Sequence, residues 1–201
     1  MIEKVSKTKE RQEGITQAKY KYGNTQILLH FCKKDIVLKK HKHKQLQFGY
    51  TFYGKYHFLI NEDIVFYMND SHSYILNSYI SHEAIALTDY YALDIKYHGE
   101  VEYRMHLNYQ FPSKEVDMQS FSLDEYDNNI TINKILGNEN FHLKEGINLV
   151  LTKNKATITL DKNSSQIIPM EIYKIDSSIQ VISQKCNNNE ILIINLIKVS
   201  K

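Results

Sequence analysis

The sequence has no tryptophan, two prolines, seven glycines and two cysteines in 201 residues. So little Gly and Pro excludes a collagen-like or low-complexity chain. Cys32 and Cys186 stand far apart, which excludes a disulfide-built scaffold. Thiols used so sparingly suit a reducing compartment, and the expectation is a cytoplasmic protein. Long apolar runs are missing as well. The longest, Ile191–Ile197, is interrupted by Asn195 and falls well short of the roughly 20 residues that span a bilayer. The opening MIEKVSKTKERQEG lacks the apolar stretch of a secretory signal, so no membrane partner is expected. Charge of one sign is also lacking. The 25 Lys+Arg and 23 Asp+Glu leave a net charge of +2, which gives no chain-wide field for holding nucleic acid.

The hydrophobic residues make up 42% of the chain, with 15 Tyr and 8 Phe among them, enough for one ordinary domain or two compact ones. Charge is uneven: residues 1–45 hold 12 basic and 4 acidic side chains. The cluster Lys33, Lys34, Lys39, Lys40, Lys42 and Lys44 suits either a solvated strand face or contact with a phosphate backbone or acidic partner. Residues 1–24 read as a basic N-terminal arm.

From Thr25 onward, period-two alternation and β-branched or aromatic residues predict an all-β protein. The expected strands are Gln26–Phe31, Asp35–Lys39, Leu46–Tyr53, Tyr56–Ile60, Ile64–Met68, Ser73–Leu76, Ala84–Leu87 and Ala92–Lys96. After a polar stretch with room for one short helix, Ile130–Ile135, Ile147–Thr152, Ala156–Leu160, Glu171–Ile175, Ile179–Ser183 and Glu190–Val199 follow. Many short strands at close spacing argue a sandwich or barrel. Tyr50–Ile60 laid over Val150–Leu160 gives strand, tight turn, strand in both, turning at Gly54 and at Asn154, the residue types best able to take positive φ. The pattern predicts either two β domains, residues 25–110 and 130–201, joined by a linker over 111–129, or one larger sandwich, and the two-domain reading is adopted.

One constellation carries chemistry. In KKHKHKQLQFGYTFYG, a strand would put His41, His43, Gln45 and Gln47 on one face and Leu46, Phe48, Tyr50 and Phe52 on the other. Gln47, Gly49 and Thr51 make that first face small and polar, as a binding cavity requires. A third imidazole, His72, ends the apolar strand in EDIVFYMNDSHSY, and three imidazoles suit an open metal site. Tyr50, Tyr53, Tyr67 and Tyr74 are candidates to line a pocket for a sugar or aromatic ligand, or to fill an ordinary core. His30, His57, His82, His98 and His106 have no companion at ligand spacing and read as hydrogen-bonded or surface residues.

The spacing of His41, His43, Gln47 and Gly54 resembles the first motif of the cupin superfamily, with His72 where the second motif would place its histidine. The pattern ILLHF, EDIVFYMNDSHSYIL and YYALDIKY over residues 25–100 is similar to the amino-terminal ligand-sensing domain of AraC-type transcription regulators. Residues 130–201 look like a second, degenerate copy, with Phe141-His142-Leu143-Lys144-Glu145 the one trace of a motif. The resemblance implies a bicupin of two jelly-roll β-barrels. Its first barrel would bind a small organic ligand such as a sugar through His41, His43, Gln47, Tyr50, His72 and Tyr74, or a divalent Fe, Mn, Ni or Zn through His41, His43, Gln47 and His72. Gln47 stands where metal-binding cupins carry Glu, an anionic ligand. The expected function is a sensor-like binding module, homodimeric, lacking its own helix-turn-helix output domain and acting through a separate DNA-binding or regulatory partner. The alternative is a metal-dependent enzyme of dioxygenase or isomerase type.

Overall fold

The computed structural model describes residues 2–61, 64–97, 121–125, 128–136, 140–143, 145–160, 163–175, 181–184 and 190–198. The chain divides into two compact units, the first being Thr8–Val116 and the second Asp117–Lys201 together with Met1–Lys7. The described residues form β-strands and turns.

The opening strand β1 (Ile2–Lys4) belongs to the second unit. The strands β2 (Lys7–Gln12), β3 (Ile15–Tyr22), β4 (Thr25–Cys32), β5 (Val37–His41), β6 (Leu46–Tyr53), β7 (Tyr56–Ile60), β8 (Ile64–Met68), β9 (Ser73–Leu76), β10 (His82–Ala86) and β11 (Tyr90–Tyr97) build the first. They form a six-stranded sheet in the order β2-β3-β4-β11-β6-β9 and a four-stranded sheet in the order β5-β10-β7-β8. The residues expected as a basic arm are thus largely strands. KTKERQ is exposed throughout and ITQAKYKY buries Ile15, Gln17 and Ala18, so charge masked an alternation that was there.

The second unit repeats the plan. Its strands are β12 (Phe121–Glu125), β13 (Asn128–Leu136), β14 (Asn140–His142), β15 (Ile147–Thr152), β16 (Ala156–Leu160), β17 (Asn163–Ile167), β18 (Tyr173–Ile175), β19 (Val181–Gln184) and β20 (Glu190–Lys198). The orders are β12-β13-β20-β15-β18-β1 and β14-β19-β16-β17. The short helix and linker expected over 111–129 give way to strand at 121–125 and from 128 onward; residues 111–120, 126 and 127 lie outside the described set. β1 extends the larger sheet by pairing with β18, register Ile2↔Ile175, and its neighbours Val5 N and Ser6 Oγ bond Ile172 O and Ile172 N at 2.9 Å each. This short strand is then the outermost at that end of the sheet.

The two tight turns are not hairpins. β6 and β7 lie in different sheets, as do β15 and β16, so each turn carries the chain from one layer to the other. Gly54 takes φ +94, and a Cβ there would meet Asp89 O at 2.3 Å; no other residue fits. Asn154 is not among the described residues with positive φ, so its unit makes the same crossing with a different backbone.

The central strands are buried on both faces. β11 reads YYALDIKY with seven of eight residues buried, which explains its near-continuous apolar run. In the smaller sheet of the first unit, Phe58 pairs with Ala84, Tyr56 with Ala86 and Ile60 with His82. Small residues opposite large ones keep the layer thin over the barrel interior.

Candidate metal centre

The larger sheet turns one face of β6 into the first barrel. Gln47 and Thr51 are 2% and 0% exposed, and Gly49 between them carries no side chain. From the smaller sheet, β5 ends at His41, and the register of β10 against β5 places His82 directly opposite. The strand stops at His41, so the continuous face expected over 41–47 is broken, and His43 stands in the loop before β6. The loop nevertheless brings it back. The ring centroids of His41 and His82 are 4.3 Å apart, those of His43 and His82 5.1 Å, and those of His41 and His43 5.9 Å. One nitrogen from each of the three lies within 4.8 Å of the others.

His72 is elsewhere, and this corrects the expected ligand set. β9 runs antiparallel to β6 with Gln47↔Leu76 and Tyr50↔Ser73, and His72 N–H and C=O lie in the turn beyond, where Thr51 N bonds His72 O at 2.9 Å. That is four residues from Gln47, about 13 Å along a strand. Its Nδ1 accepts Asn69 N–H at 3.3 Å. Tyr50 is also misplaced by the pocket reading. It has the opposite parity to Gln47, is buried at 1%, and packs edge-on against Phe52. Tyr53 and Tyr67 stay partly or largely exposed. Tyr74 does reach the site. His98 and His106 lie outside the described residues.

The imidazoles are oriented by the backbone. Nδ1 of His41 lies 2.9 Å from Lys39 O, Nδ1 of His43 3.0 Å from Gln45 O, and Nδ1 of His82 3.0 Å from Ile80 O. A carbonyl only accepts, so each bond puts the hydrogen on Nδ1 and leaves the Nε2 lone pair of a neutral ring for a cation. Burial pushes all three below the ordinary imidazole value. For His82 it acts most strongly, and with the charges of His41 and His43 it takes the group down to about 4. Neutral rings, the metal-binding form, are therefore favoured.

Behind His43 runs a buried polar chain. His43 Nε2 lies 2.8 Å from Gln47 Oε1. Gln47 Nε2 donates to Tyr74 OH at 2.8 Å, and Tyr74 OH donates to Asp94 Oδ1 at 2.9 Å. Asp94 Oδ2 lies 2.7 Å from His30 Nε2, whose Nδ1 is 3.2 Å from Gln17 Nε2. Burial alone would raise the Asp94 carboxyl, but the charge and hydrogen bond of His30, with Lys96 and Tyr74, outweigh it and hold the group well below the carboxylate range. Burial drives the Tyr74, Tyr56 and Tyr90 hydroxyls far up, with Asp94 adding to the rise. Arg11 and Lys96 supply positive charge on the same cavity, which has a volume of about 30 Å³, room for about one water. A wider recess of about 270 Å³ reaches His82 between Lys40, Leu59, Ser81 and Glu83.

Neither His82 nor Asp94 and His30 stood out in the sequence as site residues. His82 opens a strand whose inward positions continue with Ala84 and Ala86; an imidazole followed by two alanines on one face is the signal that space was left for it. Asp94 was visible as a lone carboxylate inside an otherwise apolar central strand, a placement that is costly unless the group is paired.

The donor set fits a metal. A tetrahedral zinc at about 2.1 Å from each nitrogen needs nitrogens about 3.4 Å apart, so modest side-chain rotation closes the group. Three nitrogen donors also suit iron, manganese or nickel.

No family model matches the sequence, and neither does any curated protein. Solved structures do match the fold. AerE from Microcystis aeruginosa is similar with a TM-score of 0.65 at 16% identity over 97% of this chain and 98% of that one. A cupin 2 conserved barrel domain protein from Leptotrichia buccalis gives 0.60 at 17% over 95% and 92%. An oxalate decarboxylase from Bacillus subtilis, studied for its Mn(II) centers, gives 0.58 at 10% over 100% and 78%. The fold is the cupin β-barrel, or jelly roll. No helix among the described residues is long and apolar enough to cross a membrane.

Proposed function

We propose that the chain is a bicupin whose first barrel binds a divalent metal through His41, His43 and His82 and uses that centre to hold a small anionic ligand, as a sensor-like module. The observation that carries this reading is the convergence of three backbone-oriented imidazole nitrogens within 4.8 Å. Arg11 and Lys96 set the ligand class: both line the cavity of His41 and His82, and a dication beside them favours a carboxylate or similar anion. The closed space accepts little more than a water, so an organic ligand enters from the open recess at His82.

Binding is favoured over acid–base catalysis by the state of the neighbouring groups. Asp94 is held ionised with both oxygens engaged, and Tyr56, Tyr74 and Tyr90 have hydroxyls pushed far from the range of a working acid or base. The enzyme reading keeps one observation in its favour: a three-nitrogen set without an anionic fourth ligand leaves positions open for substrate, where a metal acts as Lewis acid or redox centre. The regulatory role and its separate partner follow from the sequence resemblance and belong to the same proposal.

The test is elemental analysis of protein grown in rich medium, beside a His41→Ala, His43→Ala double variant. About one metal per chain, absent from the variant, supports the reading. A folded wild type without metal, unable to take up zinc or manganese on dialysis, overturns it. Thermal shifts with small mono- and dicarboxylates then separate a binder from a protein indifferent to anions, and turnover of any stabilising carboxylate would move the assignment to the enzyme.

A further inference from the structure

The buried chain behind His43 has a direction. An ionised carboxylate has no hydrogen to give, so the single O–H hydrogen of Tyr74 goes to Asp94 Oδ1, 2.9 Å away. The Tyr74 oxygen is left able only to accept. Its partner at 2.8 Å must then be the NH2 end of Gln47, which turns the amide oxygen toward His43. His43 already needs its hydrogen on Nδ1 for Gln45 O. His43 Nε2 and Gln47 Oε1 then face each other at 2.8 Å, and without a second hydrogen on the ring that contact is lone pair to lone pair. Two acceptors at that distance repel unless a cation is beside them, and about 3 Å is the separation of adjacent donors in an octahedral shell with bonds near 2.1 Å, against about 3.4 Å in a tetrahedral one.

Resting on the metal reading above, we propose that Asp94 and Tyr74 are positioning residues for the metal centre, locking the Gln47 amide with its oxygen toward the imidazoles as a fourth, neutral donor. The glutamine does not stand alone in the place of a carboxylate. The anion has moved two hydrogen bonds back, to Asp94, where it orients the donor.

Two further observations agree. Gly49 makes room for the device: a Cβ there would meet Tyr74 Cζ at 2.1 Å and its hydroxyl oxygen at 2.5 Å, so the strand omits a side chain to seat the ring. Among its described residues the second unit, aligned by register, lacks the device and the triad together. There Gln47 becomes Asn148, Gly49 becomes Val150, Tyr74 becomes Tyr173 and Asp94 becomes Ile193. Position 82, paired with Ile60 and opposite His41, becomes Ile182, paired with Leu160 and opposite Phe141.

The test is Co(II) titration of the full chain against a chelator, followed by the visible spectrum of the bound ion. Variants are Gln47→Ala, Tyr74→Phe, Asp94→Leu and the doubles Tyr74→Phe/Gln47→Ala and Asp94→Leu/Gln47→Ala. The expectation is one Co(II) in the wild type and a loss of affinity of about 10-fold or more in each single variant. The doubles should be no worse than Gln47→Ala, and all variants should share one altered spectrum. Tyr74→Phe keeps the ring on Gly49 and guards against a fold defect in Asp94→Leu. Wild-type affinity and spectrum in Tyr74→Phe, or losses that add in full to that of Gln47→Ala, overturn the inference while leaving the three-imidazole centre standing. No cobalt binding by the wild type overturns the metal reading itself, and the inference with it.

Discussion

The two units share one plan and spend their interiors differently. In the first, the face of the larger sheet that looks inward carries Gln47, Thr51, Tyr74, His30 and Asp94, all buried and hydrogen-bonded to one another or to neighbours. In the second, the corresponding space is filled by Val150, Ala156, Ile158, Ile167, Ile175, Ile191 and Ile193, with Tyr173 at the rim. Its polar remnant is Asn148 and Asn195, the register counterparts of Gln47 and Lys96, joined at 3.1 Å. Tyr173 keeps the place of Tyr74 yet turns its hydroxyl to Glu171. The jelly roll thus tolerates either interior. What it does not tolerate is half of one, because a buried polar group without its partner costs more than a complete network or none.

Exchanging single residues between the units should therefore be worse than either parent. Ile193→Asp would bury a carboxylate in the second unit, where the position of His30 is taken by Ile135. We expect loss of soluble, folded protein, read by circular dichroism and gel filtration. Asp94→Ile in the first unit strips His30 and Tyr74 of their acceptor, and breaking a buried pair this way costs about 3–5 kcal/mol, visible as a lowered urea midpoint. Gly49→Val copies the second unit's Val150 into a place already held by the Tyr74 ring. Overpacking of that kind costs about 3 kcal/mol, and Tyr74→Ala in the same chain should restore part of it.

The acid limb of stability sharpens the comparison further. The Asp94 carboxyl ionises below its unfolded value of 3.8, so its ionised form is favoured by folding. The stability it contributes is complete above that value and is lost as pH falls below about 4 toward the folded value. Urea midpoints at pH 7 and pH 3 should differ by more in the wild type than in Asp94→Asn; equal differences would mean the carboxylate carries no such linkage. The smallest effect is expected from Asn148→Leu with Asn195→Leu. Replacing both partners of a buried hydrogen bond by apolar groups is nearly neutral, and the loss of the second Asn195 bond, to Glu145 O at 2.8 Å, adds about 1 kcal/mol, whereas either single change should cost more.

Much of this was legible in the sequence, and the gaps have physical causes. Alternation located most strands from Gln26 to Leu160 and the duplication itself, because side-chain period follows burial. It missed β2 and β17, whose KTKERQ and NSSQI carry too few apolar residues to show a period. His41 and His43 were found by their spacing. His72 ends an apolar run and so reads as the third imidazole, but strand pairing within the smaller sheet, not position in the chain, decides which imidazoles meet. The register His82↔His41 is a long-range fact that no local pattern encodes. The same holds for Asp94, whose partners His30 and Tyr74 are 64 and 20 residues away.

The most direct measurement is zinc or cobalt uptake by two single variants of the first barrel, His82→Ala and His72→Ala. The account predicts that His72→Ala binds one metal per chain with wild-type affinity, while His82→Ala loses at least 100-fold or binds none. Equal binding by both variants, or loss in His72→Ala alone, would contradict the centre described here.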